Sequence, residues 1–160
     1  MCIGYYGSQN LGDEAILASF LWDLEEHGYD RRRVRVTTAD ESDTTERHGV
    51  ISVKWKSPIA IVKAILCSDH VVLSGGGWHF HRSLVSLYAL FVALWAKMLR
   101  KSVTIFCIGV EPITRPVPRF LVGRIIGLCN WISVRDVRSA VELSRACASA
   151  RITVAADPVF

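Results

Sequence analysis

Ile3-Gly4-Tyr5-Tyr6-Gly7-Ser8-Gln9-Asn10-Leu11-Gly12-Asp13-Glu14-Ala15-Ile16-Leu17 reads as the end of a buried strand, a loop punctuated by glycines, and the first turn of a helix. Open α/β sheets bind anions and sugars at such a corner, because backbone N–H groups and the positive end of the helix dipole both face the strand's carboxyl end. Gly4, Gly7 and Gly12 suit a loop that a ligand must approach closely. Asp13 and Glu14 place negative charge at the helix start, where the dipole favours it. A dinucleotide fingerprint would need glycine at 4, 6 and 9, where the chain has Gly4, Tyr6 and Gln9, so an ordinary NAD site is disfavoured.

Outward from this corner, apolar runs of strand length alternate with stretches of helical periodicity. The first strand is expected to be short, with a clipped start, because only Met1 and Cys2 precede Ile3. Ile16, Leu17, Phe20, Leu21 and Leu24 predict a helix from Asp13 to His27, stopped by Gly28. A strand over Val34–Thr38 ends at Asp40, read as a turn aspartate rather than a ribose ligand. Residues 40–49 read as an exposed loop. Val50–Val53 follows as a short strand, then a helix begun by Pro58 and running to Cys67. Strands at His70–Leu73, Val103–Ile108, Trp131–Val134 and Ile152–Ala155 are separated by helices at Leu84–Leu99, Arg119–Cys129 and Val137–Cys147. Six or seven strands in this alternation specify one α/β domain over 1–160, a doubly wound, mostly parallel, Rossmann-like sheet with right-handed crossovers.

The loops at 4–14, 74–79, 109–112 and 135–136 all follow predicted strands, so they should meet on one sheet edge. Ser74-Gly75-Gly76-Gly77-Trp78 exposes consecutive N–H groups suited to an anion or to sugar hydroxyls, with a ligand-free turn as the alternative. His79 and His81 invite a metal, but no Cys, Asp or Glu lies nearby in sequence to complete a site, so they read as loop histidines near the crevice and no metal is expected. Glu111 stands just past a strand end, either facing a ligand or starting a helix before Pro116 and Pro118. Arg135 can grip a phosphate or carboxylate through two parallel hydrogen bonds, or can pair with Asp136, which is expected to cap the next helix.

The chain has 160 residues, 51% of them hydrophobic and 21% charged, enough for one three-layer core without staples. A mean hydropathy of +0.29 leans towards a sheet buried on both faces. The charge of +4 is modest, and its one dense run, Arg31-Arg32-Arg33-Val34-Arg35, lacks interleaved aromatics, so no nucleic-acid partner is expected. The five cysteines are scattered, mostly in apolar runs and without zinc spacing, as expected of reduced cytosolic thiols. The longest uncharged run, Ser83–Ala96, would reach only about 21 Å as a helix against a hydrocarbon core of about 30 Å. It reads as a buried helix, and its basic flanks, Arg82 and Lys97–Lys101, leave peripheral membrane contact open.

GYYGSQNLGDEAIL (Gly4–Leu17), VVLSGGGW (Val71–Trp78), IGVEPI (Ile108–Ile113), SVRDVRS (Ser133–Ser139) and the closing DPVF (Asp157–Phe160) are ordered as in the polysaccharide pyruvyl transferase family, which the chain resembles over nearly its whole length. The resemblance implies the N-terminal half of a GT-B-like, two-domain protein. The C-terminal domain, absent from this chain, would hold donor-binding and acid residues that include histidine and lysine. The implied reaction moves a pyruvyl group from phosphoenolpyruvate to two hydroxyls of one sugar, giving a cyclic ketal for cell-wall or other cell-surface polysaccharide. Phosphoenolpyruvate would be the donor substrate, with no cofactor, and the acceptor a glycan or lipid-linked sugar at the cytoplasmic face of the membrane.

On this reading Arg135, which falls in the SVRD-type motif, is the first candidate for ligand contact. For proton transfer the candidates are Asp13 and Glu14. Asp13 is the second catalytic candidate, although a helix N-terminus stabilises a carboxylate and weakens it as a base, which leaves a helix cap or a ligand of the acceptor hydroxyl as its alternative role. Gly7, Asn10, Gly12, Gly75, Gly76, Gly77 and Glu111 are the expected substrate-binding residues. A GT-B glycosyltransferase acceptor domain, a non-catalytic remnant and a nucleotide-binding module are the competing readings.

Overall fold

The structure, a computed structural model, describes residues 1–159. Phe160, which ends the DPVF motif, lies outside the described residues. Strands β1 (Cys2–Tyr6), β2 (Arg35–Thr38), β3 (Ile51–Lys54), β4 (His70–Leu73), β5 (Gly77–Trp78), β6 (Ser102–Val110), β7 (Trp131–Val134) and β8 (Thr153–Val154) form a sheet in the order β3-β2-β1-β4-β6-β7-β8, with β5 beside the far end of β6. Every strand pairing among the described residues is parallel. Parallel neighbours need crossovers, which are supplied by α1 (Leu11–Glu26), α2 (Glu41–His48), α3 (Pro58–Leu66), α4 (Ser83–Met98), α5 (Pro116–Leu128) and α6 (Val137–Ala146).

Alternation along β1 separates two cores. Cys2 and Tyr6 pack with Leu17 and Leu21 of α1 and with Val36 and Val50. Ile3 points to the other face and joins the larger cluster under α3, α4 and α5 with Ile61, Ile65, Val92, Ile105 and Ile125. Helices therefore cover both faces, and the strand order reverses direction between β1 and β4. That switch point opens a crevice at the carboxyl ends of the strands.

Several boundaries differ from the expectations. β1 is of ordinary length, because Gly4, Tyr5 and Tyr6 belong to the strand and the loop begins only at Gly7. Residues 41–48 are a helix, not a loop. Asp40 caps it by accepting hydrogen bonds from the Ser42 and Asp43 amides at 3.1 Å each, and it buries Thr44 and His48 instead of an apolar stripe. Pro116 opens α5 rather than preceding it, consistent with proline's fit at the first helical position. β6 runs on to Val110, through a bulge at Cys107, whose φ of 48° breaks the ladder with β7 between Ile105 and Ile108. Past the bulge, Gly109 and Val110 pair with Gly77 and Trp78 of β5, a strand too short to show in the sequence.

The basic run forms a short 3₁₀ turn over Arg31–Arg33, with Arg31 paired to Glu25 and Arg32 to Asp30, so it is a connection whose charge is partly neutralised within the chain. No helix among the described residues is long and apolar enough to cross a membrane. All five cysteines are free, and Cys67 is exposed rather than buried.

Candidate functional site

Asp13 stands at the carboxyl edge of the sheet, between the start of α1 and the end of β4. Asn10 caps α1 by accepting the Gly12 N–H at 3.1 Å, which starts the helix two residues earlier than expected and turns Asp13 towards the end of β4. There its Oδ1 accepts the Gly76 N–H at 2.8 Å, and its Oδ2 accepts from Asn10 Nδ2 at 2.7 Å. The Gly76 amide is thus already bonded within the chain, and Gly75 to Gly77 do not present a free row of donors. Gly75, at φ 115°, allows the close approach, since a methyl group there would stand 3.3 Å from Asp13 Oδ1.

Burial raises the Asp13 pKa above the ordinary carboxylate value. The Gly76 hydrogen bond opposes the shift, the neighbouring Glu14 charge adds to it, and His79 and Arg135 reduce it. The expected weakening of this carboxylate at a helix start is therefore reversed. Withdrawal from water outweighs the hydrogen bond and the positive neighbours, and the group is a better base than its position on the helix implies.

Arg135 enters from β7. Its backbone N–H bonds to the Ile108 carbonyl at 3.1 Å, and its guanidinium lies across Gly109, where any methyl group would stand 2.5 Å from Nε. Across Gly76 it approaches Asp13: a methyl group on that glycine would be 3.9 Å from Arg135 Nη1 and 3.4 Å from Asp13 Oδ1. Nη1 also meets Asp157 Oδ2 at 3.2 Å, which draws the closing Asp-Pro segment to the site, while Nε stays 3.8 Å from Asp136. Asp136 is free for the cap it was expected to make, accepting from Ser139 N at 2.7 Å and Ser139 Oγ at 3.0 Å. Ser139 Oγ in turn accepts the Val110 N–H at 2.8 Å and Glu142 the Ile113 N–H at 3.1 Å, so the first turns of α6 hold the loop that carries Glu111.

Glu14, adjacent to Asp13, has a different task. It is buried, accepts the Gly7 N–H at 2.8 Å through Oε1, and meets His48 Nε2 at 2.7 Å through Oε2. Gly7, expected to bind substrate, is instead a packing glycine: its φ is 66°, and a methyl group would stand 2.0 Å from Thr38 Oγ1 and 2.7 Å from the Asp40 amide. Asn10 and Gly12 are exposed beside Asp13, open to the crevice mouth.

Glu111 lies on the same rim. It is no helix-starting acid: Oε1 is 3.1 Å from His79 Nδ1 and Oε2 is 2.9 Å from His81 Nδ1. His81 and Glu111 also line a cleft of 760 Å³ with Arg82, Thr114 and Arg115. The histidine pair was visible in the sequence, but its carboxylate partner, thirty residues away, was not.

Of the expected site residues, the fold thus gathers Asp13, Gly75, Gly76, Gly77, Glu111 and Arg135 on one edge, with Asn10 and Gly12 at its margin and Gly7 turned inward. A family model described as polysaccharide pyruvyl transferase matches residues 10–160. No curated protein and no solved structure gives a match.

Proposed function

The chain belongs to the polysaccharide pyruvyl transferase family, and on that premise we propose that it serves pyruvyl transfer from phosphoenolpyruvate to a sugar diol. The observation that carries this reading is that a half-exposed guanidinium, itself paired to Asp157, and a buried carboxylate whose pKa is raised stand on either side of Gly76. The reaction adds a proton to the methylene carbon of the enol phosphate and brings one hydroxyl oxygen onto the adjacent carbon. Phosphate then departs with the carbon–oxygen bond electrons, and the second hydroxyl closes the ketal. Of the two hydroxyl protons, one balances the new methyl group and the other leaves as hydrogen phosphate.

Arg135 is suited to the donor's carboxylate or phosphate, because a planar fork can neutralise either with two parallel bonds. Asp13, raised by burial, is suited to take the proton from the attacking hydroxyl. The acid that protonates the methylene would come from a second, facing domain, and closure of two such domains would exclude water from the oxocarbenium-like centre.

The test follows phosphate release from phosphoenolpyruvate by the full-length gene product with candidate saccharide acceptors. Arg135→Ala is expected to lower kcat/KM by about 10²–10³, the loss typical of one electrostatic donor. Asp13→Asn should lower it by about 10²–10⁴, the usual range for a general base. Phosphate release that survives both substitutions overturns the assignment. Protection against heat by a nucleotide sugar, and not by phosphoenolpyruvate, would favour the glycosyltransferase reading instead.

A further inference from the structure

We propose that His79, His81 and Glu111 form a binding site for a divalent transition metal of the zinc class. His79 and His81 leave the turn after β5, and Glu111 leaves the bulged end of β6, which β5 pairs against. The parallel pairing of Gly77 with Gly109 fixes the two exits side by side. Each carboxylate oxygen faces a different imidazole, at 3.1 Å and 2.9 Å, and the three donor groups lie within 4.8 Å of one another. Donors on a four-coordinate zinc ion with bonds of about 2.0–2.1 Å stand roughly 3.4 Å apart, so the cluster needs to contract by up to about 1.4 Å at its widest. Rotation about side-chain torsions accomplishes this for groups that are exposed to between a third and a half.

The donor set suits this metal class. Two imidazoles and one carboxylate are borderline and hard ligands, favoured by zinc, cobalt and iron, whereas magnesium or calcium would require a shell of oxygens. Three protein ligands leave a coordination position open, as in zinc sites that bind water or substrate. His81 and Glu111 also line the cleft with Arg82 and Arg115, whose positive charge favours an anionic ligand there. The site does not depend on the roles proposed for Arg135 and Asp13: it shares neither side chain and is tested by metal binding alone.

Titration of the metal-free protein with Co²⁺ is expected to give visible d–d bands of a four- or five-coordinate ion at one equivalent, displaced by Zn²⁺. His79→Ala, His81→Ala and Glu111→Gln should each weaken Co²⁺ binding on the order of 100-fold, at least the loss seen when a mere outer-shell partner is removed. His27→Ala, an exposed histidine bonded to the Asp23 carbonyl at 2.7 Å, should bind as the parent does. Circular dichroism of the metal-free variants checks that each is folded, and Zn²⁺ should raise the melting temperature of the parent but not of the three site variants. Absence of the bands, their persistence in the site variants, or their equal loss in His27→Ala would overturn the proposal.

Discussion

At the scale of single residues, environment decides what a side chain can do. Asp13 and Glu14 are adjacent and both acidic, yet Glu14 is tied to His48 and Gly7 while Asp13 faces the crevice with a raised pKa. A carboxyl whose folded pKa lies above its unfolded value of 3.8 leaves stability intact below that value and removes it as pH rises through the folded pKa. Melting temperatures of the parent and Asp13→Asn should therefore diverge as pH climbs from about 3.8, with the variant becoming relatively more stable even as it loses activity. A parent curve that stays parallel to the variant's would contradict the burial argument. Gly7→Ala tests a different constraint: a left-handed backbone costs a non-glycine residue about 1–2 kcal/mol, and overpacking against Thr38 and Asp40 adds about 1–3 kcal/mol. Urea denaturation should show a loss of roughly 2–5 kcal/mol on those grounds, whereas a loss below about 1 kcal/mol would mean the chain relaxes away from Thr38.

At the scale of elements, polar pairs as well as apolar faces set the packing. The Glu14–His48 pair joins α1 to the end of α2, which buries only Thr44 and His48. Removing the imidazole leaves Glu14 Oε2 buried without its partner, while Oε1 keeps the Gly7 N–H, a loss of about 1–3 kcal/mol. His48→Ala should accordingly lower the melting temperature by about 5 °C for a domain of this size. A change of a degree or two would show that water replaces the imidazole. The same absence of apolar residues explains why residues 41–48 read as a loop: helical periodicity is legible only when the buried stripe is hydrophobic. β4 and β7, in contrast, fall where their short apolar runs put them. β5 was hidden because two residues, one of them glycine, carry no alternation, and the Cys107 bulge because its cause is the fit to β7 and Ser133 rather than any local signal.

At the scale of the molecule, the parallel sheet brings four loops from distant parts of the chain to one edge, and Gly109 is where two of them touch. Gly109→Ala should leave the melting temperature within a few degrees of the parent, because the methyl group meets the movable end of Arg135 rather than backbone. It should still reduce phosphate release with phosphoenolpyruvate, since the guanidinium would be pushed off its seat. Unchanged release would show that Arg135 need not lie across that glycine. The alternation of strand and helix, the parallel sheet it compels and the loops gathered at its carboxyl edge were determined by the sequence, because periodicity and glycine placement are properties of neighbouring residues. The fold alone decided which of two adjacent carboxylates is buried in a pair and which faces the crevice, that Gly76 donates inward, and that Glu111 meets two histidines. Those outcomes turn on separations of a few ångströms between residues far apart in the chain, and only the packed sheet sets such distances.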